Sequence, residues 1–232
     1  KMAEVDPVQR VASKQGQWQA LSVEKKIALL QEIKGILEQL TTDTIVEMFG
    51  NAEADMMGFA VNSTEGKFEA TQASFMYVVV VTDCVSKLLD AYQYHVGTKK
   101  LPELKTFSPT SGRTAVQTLP VLASDKFGML AKCQAEVWLE EGASLEPMRM
   151  FKDMQNASSD GCTVVMGAGN HCFLSMVDVL FFLFHRNSVV YLKHHPIRSH
   201  HDPVLRHILQ PLIRYGCFDS ELDSGTLQRS KD

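Results

Sequence analysis

The residues with chemical potential in this chain gather between Cys162 and Pro196. Gly167-Ala168-Gly169-Asn170 follows the apolar run Thr163-Val164-Val165-Met166 and precedes an apolar stretch from Ser175 to Arg186. Two glycines at such a turn can let backbone N–H groups approach a phosphate. Lys193, at the end of the second apolar run Val189-Val190-Tyr191-Leu192, adds a cation at the same level. The dinucleotide pattern is incomplete. Cys172 stands where the third glycine of GxGxxG belongs, and no acidic residue follows about twenty positions on. A close strand-to-helix turn that needs small residues is the simpler reading of Gly167 and Gly169.

Other reactive side chains carry weaker patterns. Seven of the eight histidines lie between His171 and His207. Metal ligands must converge. His194-His195 and His200-His201 are adjacent pairs whose rings tend to diverge, so a solvated loop is expected and no metal site. From Arg186 to Arg214 five cations (Arg186, Lys193, Arg198, Arg206, Arg214) face Asp202 alone, a local +4 in a chain of net charge −4. This segment could meet a nucleotide phosphate or an acidic partner subunit. Cys84, Cys133, Cys162, Cys172 and Cys217 are odd in number and lack CxxC spacing, which reads as scattered thiols in a reducing compartment. Asp178 sits in an apolar helix with no base or nucleophile pattern around it.

The elements that must position these residues follow from periodicity. Strand, Gly-rich turn, helix and strand across 162–196 make a βαβ unit with parallel strands and a right-handed crossover. Ligands of such units bind at the carboxyl end of the first strand, where Gly167 to Asn170 sits. Upstream, residues 1–16 are polar and read as a loose arm. Ser22 caps a helix from Val23, with Ile27, Leu30, Leu37 and Leu40 at three-four spacing. Thr42 or Asp43 caps a second helix that Gly50-Asn51 interrupts. Phe68 to Tyr94 is a long helix, although Met76 to Val81 has the composition of a strand. Pro and Gly punctuate 97–130, and Arg113–Leu119 with Phe127–Leu139 form a β-ribbon. Trp18 and Trp138 are packing residues. Asp202 or Pro203 opens a helix through Val204 to Ile213, with Gly216 placed as its C-terminal glycine. Asp219 to Asp232 is a polar, frayed tail.

Composition bounds the class. The chain has 232 residues, 45% hydrophobic and 22% charged, which are globular values. Its negative net charge argues against a general nucleic-acid binder. No uninterrupted run reaches the roughly 18 apolar residues of a membrane span; Met176 to Phe184 is nine residues long and contains Asp178. The expected class is α/β, with a helical region over 1–100, a β-ribbon over 101–142 and a truncated Rossmann-like αβ region over 143–232.

These features together resemble the N-terminal half of the aldehyde dehydrogenase superfamily. Val164-Val165-Met166-Gly167-Ala168-Gly169-Asn170 is similar to the family's strand and Asn-bearing turn. Phe184 to Lys193, running on to Pro196, is similar to its "GNxVVLKP" element, and Leu209 to Gly216 to the helix that follows. The resemblance implies that Asn170 stands at the oxyanion position and Lys193 at the lysine that contacts the adenosine ribose of NAD. It also marks departures. Gly169 replaces the aromatic residue before the Asn, His194-His195 separate Lys193 from Pro196, and no cysteine matches the family's nucleophile.

The expected function is therefore a non-catalytic, aldehyde-dehydrogenase-like accessory subunit of a larger assembly. A pair of parallel strands is not stable alone, so either the ribbon or protein partners must cover the open sheet edge or the basic 186–214 segment. The alternative is an NAD(P)-dependent aldehyde oxidoreductase whose catalytic half lies outside this chain. A third reading is a nucleotide-binding module that uses Gly167, Asn170 and Lys193. No cofactor is expected under the first reading and NAD(P) under the others. Neither nucleic acid nor a transmembrane segment is expected, and the compartment is intracellular and reducing, with an organelle (chloroplast or mitochondrion) suited to a chain that begins at Lys1.

Overall fold

The computed structural model describes residues 6–98, 103–108, 112–126, 131–143 and 161–222. Helix makes up 59% of the structure and the strands form two small sheets, a mixed α/β arrangement.

The first described residues are folded rather than loose. Asp6 accepts from the Val8 amide at 2.9 Å and caps α1 (Pro7–Ala12); α2 (Gln15–Gln19) comes next and buries Gln15 and Trp18. The polar stretch conceals an apolar anchor at Val11 and another, just beyond it, at Trp18. Average composition hides both. Ser22 caps α3 (Val23–Gln39) as expected, and the helix buries Lys26, Leu30, Ile33 and Leu37 on one stripe. The next cap is Thr41, one residue earlier than read, whose Oγ1 accepts from the Thr44 amide at 3.2 Å. From it α4 (Thr42–Ile45) runs through a π-helical turn, Val46–Gly50, straight into α5 (Asn51–Met56). Gly50 does not break the helix. A Cβ there would lie 2.3 Å from the Ala70 carbonyl oxygen, so the glycine permits close approach to the next helix.

That helix is α6 (Thr64–Thr98), and its buried stripe of Ala70, Ser74, Tyr77, Val81, Val85, Leu89 and Tyr92 holds helical spacing through the β-branched stretch. Packing on one face outweighs the local strand preference of 78–81. By length and composition α6 alone among the described helices could cross a membrane, and no clear transmembrane segment is present among the described residues.

The ribbon forms an antiparallel sheet in the order β1 (Thr106–Phe107), β2 (Ala115–Leu119), β3 (Ala135–Trp138). Residues 127–130 of the expected second run lie outside the described residues. β3 is exposed along its length, and Trp138, 50% exposed, is not a packing residue.

The ribbon does not extend the parallel sheet. β4 (Thr163–Met166) pairs with β5 (Val190–Lys193), and β5 pairs with β6 (Phe218–Glu221), all parallel. β6 falls where a frayed tail was expected; residues 223–232 of that tail lie outside the described residues. Phe218 alone is buried in β6. The rest is polar because Asp219 and Ser220 bind Arg206 from α8 (Asp202–Ile208). The crossover helix α7 (Leu174–Leu180) ends in a second π turn, Phe181–His185. α9 (Gln210–Tyr215) succeeds α8, and Gly216 at φ 84° is its left-handed cap, as the sequence indicated.

The helices and the parallel sheet share one core, which includes Trp18, Leu30, Tyr77, Val85, Phe184, Tyr191, Leu205 and Phe218. A polar knot fastens them. Trp18 Nε1 donates to the Leu183 carbonyl at 3.1 Å and Tyr92 Oη to the Phe184 carbonyl at 2.6 Å, satisfying acceptors that the π turn leaves open. Gln15 accepts from the Val189 amide at 2.7 Å and donates to the Asn187 carbonyl at 3.2 Å. Asn187 itself, at φ 55°, accepts at Oδ1 from Lys26 Nζ at 2.5 Å. The same ammonium lies 4.8 Å from the Trp18 ring centroid.

Lys26 couples the stability of this knot to pH. Burial lowers its pKa from 10.5 to about 8, with the nearby Cys217 acting the other way. Between those values the unfolded chain binds more protons, so the Lys26 contribution to stability rises with pH by at most about 1.4 kcal/mol per unit. Thiols, which act in the opposite sense, are common to wild type and Lys26→Met. The difference between their urea unfolding free energies should therefore shift in favour of wild type from pH 8 to 9.5. A constant difference would show that Lys26 does not titrate there.

Candidate functional site

The carboxyl ends of β4, β5 and β6 lie side by side, and the connections that leave β4 and β5 build the site. After β4 comes Gly167 to Asn170. After β5 come His194, His195 and a 3-10 turn, Pro196–His201, that leads into α8.

The glycine turn is packed against its own chain. The Gly167 amide donates to the Lys193 carbonyl at 2.8 Å, and the Ala168 amide donates to Ser175 Oγ at 3.2 Å. A Cβ at Gly167 would lie 2.8 Å from the His195 nitrogen; one at Gly169 would lie 3.0 Å from the His195 imidazole. The glycines are thus required by close approach of β5's continuation. Asn170 is exposed at the turn's tip, whereas Lys193 is buried at 6% exposure. The structure places the three residues at one end of the sheet, as the βαβ reading required. It buries Lys193 and leaves Gly167 only half-exposed.

The buried charge lies beside this turn and centres on Glu53 of α5. Arg198 Nη1 donates to both carboxylate oxygens at 2.5 Å, and Arg198 Nε donates to the Gly169 carbonyl at 3.0 Å. His201 Nε2 donates to Glu53 Oε1 at 2.6 Å and His200 Nε2 to the same oxygen at 3.3 Å. Adjacent histidines were expected to diverge. The irregular 3-10 turn, with Arg198 at φ −116° and ψ 16°, instead aims both rings at one carboxylate. Phe49 walls the cluster, its ring centroid 5.0 Å from His201 and 4.9 Å from Tyr77.

Burial would raise the Glu53 pKa, but hydrogen bonds from His200, His201 and Arg198 outweigh it and hold the carboxyl far below the ordinary range. Burial pushes His201 down despite its bond to Glu53. The cluster is one buried carboxylate held directly by a guanidinium and two imidazoles. Burial raises Cys84, Cys162 and Cys172 to about 11 and Cys217 higher still, so these four remain thiols near neutral pH.

The basic segment is largely neutralised from within. Arg198 meets Glu53, Arg206 meets Asp219 at 2.7 Å, and Arg214 meets Glu32 of α3. His194 Nε2 lies 3.1 Å from Asp202 Oδ1, which also accepts from Ser220 Oγ at 2.6 Å. Asp178 is half-buried on α7 and takes no part in the site.

Glu53 is the residue that sequence reasoning missed. Its helix shows only Glu53 and Asp55 among small and apolar neighbours, with no motif linking it to Arg198, 145 positions on. Removing its charge leaves Arg198 buried without a counter-ion. Glu53→Gln should therefore cost about 3 kcal/mol in urea unfolding at pH 7, the scale of a broken buried pair. A loss under about 0.5 kcal/mol, typical of a surface position, would show that the pair does not hold α5 to the turn.

No protein-family model, curated protein or solved structure matches this chain.

Proposed function

We propose that this chain is a non-catalytic, aldehyde-dehydrogenase-like αβ module that acts as an accessory subunit and is completed by a protein partner. The observation that carries this reading is the state of the glycine turn. A phosphate cradle needs free backbone donors, and here the Gly167 and Ala168 amides are spent on Lys193 and Ser175. The His195 ring packs where a ligand would approach Gly169, and the lysine that would reach a ribose is buried. Burial disfavours four of the five cysteines as the thiolate nucleophile of the resembled family. Five unpaired cysteines suit a reducing compartment.

The partner surface in this reading is β4. Among the described residues it has a ladder neighbour on one side only. Val165 is buried, while Val164 and Met166 on the opposite face are 48% and 56% exposed. Parallel sheets are normally covered on both faces, as β5 is here. An uncovered apolar edge strand invites pairing. A second reading, an NAD(P)-dependent aldehyde oxidoreductase working with catalytic residues outside this chain, draws on the exposed amide of Asn170.

Calorimetric titration separates the two. NAD and NADP at millimolar concentration should give no binding heat with the full chain, and saturable heat would favour the oxidoreductase. Affinity purification from the native source should recover the chain in a defined stoichiometric complex. The double substitution Val164→Glu, Met166→Glu should abolish that complex and leave the circular dichroism spectrum unchanged. Recovery as a free monomer would overturn the accessory-subunit reading.

A further inference from the structure

We infer that Glu53, His200 and His201 form a binding site for a divalent transition-metal ion of the zinc class. Three observations converge on it. One carboxylate oxygen and two imidazole nitrogens lie within 4.8 Å of one another, offered by two distant segments of chain. Two nitrogens and one oxygen are a donor set that suits zinc and its neighbours and disfavours magnesium. The third observation is Tyr77. Its hydroxyl is fully buried and has no hydrogen-bond partner among the described residues, a rare and costly state. The Tyr77 and His201 ring centroids are 6.4 Å apart, and both rings pack on Phe49. The hydroxyl is in electrostatic range of Cys172, and that thiol is in range of Glu53 and Arg198.

Ligand atoms about 2.0–2.2 Å from a tetrahedral ion lie roughly 3.3–3.6 Å apart. The His200 to Glu53 separation of 3.3 Å already meets this, and the His201 separation of 2.6 Å must open by less than the length of a bond. Each imidazole then carries its proton on Nδ1 and presents a lone pair at Nε2. Arg198 Nη1, which donates to both carboxylate oxygens, must give up Oε1 to the ion; it keeps Oε2, and its Nε keeps the Gly169 carbonyl, which holds the carboxylate in place. The fourth position is left to water, and the Tyr77 hydroxyl supplies the hydrogen-bond partner such a water needs. Three protein ligands plus an open position is the arrangement of catalytic zinc. Here the ion would clamp α5 to the turn that leaves β5. Zinc at this cluster requires neither a partner subunit nor a nucleotide, so it stands or falls apart from the accessory-subunit reading.

The full chain, stripped with a chelator and freed of it, is titrated with zinc by calorimetry. One equivalent should bind with a Kd at or below the micromolar range, and magnesium at the same concentration should give no heat. Cobalt(II) should bind with visible d–d bands of a four-coordinate site. His200→Ala, at the less buried and weaker of the two histidine contacts, should weaken zinc binding at least tenfold without unfolding the chain. Tyr77→Phe should weaken it by about tenfold, as loss of an outer-shell partner does. His207→Ala and Cys133→Ala, at exposed positions outside the converging ligand group, should leave affinity unchanged. Absence of a stoichiometric site in the wild type, or full retention of affinity in His200→Ala, would overturn the assignment.

Discussion

A single carboxylate, Glu53, sets the terms for the carboxyl end of the parallel sheet. It is buried, so its charge must be compensated on the spot. The compensation comes from Arg198, His200 and His201, all in the connection between β5 and α8. That connection can reach Glu53 only if it leaves helical geometry at Arg198 and passes over the Gly167 to Asn170 turn. The His195 ring lies against Gly169, and Arg198 Nε donates to the Gly169 carbonyl. The closing of the glycine turn, the convergence of two adjacent histidines and the docking of α5 are one consequence of burying one charge. Gly50 serves the same end from the other side, since its missing Cβ lets the helix bearing Glu53 settle on α6.

What was legible in the sequence was local and periodic. The strands at 163–166 and near 190–193, the caps at Ser22 and Gly216, the long helix over 68–94 and the ribbon all arise from patterns confined to short windows of chain. The demand of Gly167 and Gly169 for small residues was also legible, because a strand-to-helix turn has few other uses for two glycines. What escaped was non-local. Gln15 and Trp18 look unremarkable until Asn187 and Leu183 stand opposite them, 172 and 165 residues away. β6 carries one buried apolar residue, and its polar positions are held by Arg206, so hydrophobic alternation could not announce it. Glu53 has no motif at all. Its meaning lies in charge balance with residues 145 to 148 positions away, which no window of sequence contains.

The same non-local pairing changes the meaning of the basic segment. Counted along the chain, 186–214 is strongly positive and invites an anionic ligand. Counted in space, three of its arginines are met by Glu53, Asp219 and Glu32, contributed by α5, β6 and α3. A cation committed to an internal carboxylate contributes little field outside, and binding a phosphate there would strand its former partner. The apolar β4 edge has no such internal answer among the described residues. Val164 and Met166 face outward on a strand whose neighbour β5 is covered on both faces. Of these two surfaces, the basic segment is satisfied by the fold itself, and the β4 edge, among the described residues, is not. Interaction energy is available where groups remain unsatisfied, which is why the proposed accessory-subunit reading rests on the sheet edge rather than on the basic segment or the glycine turn.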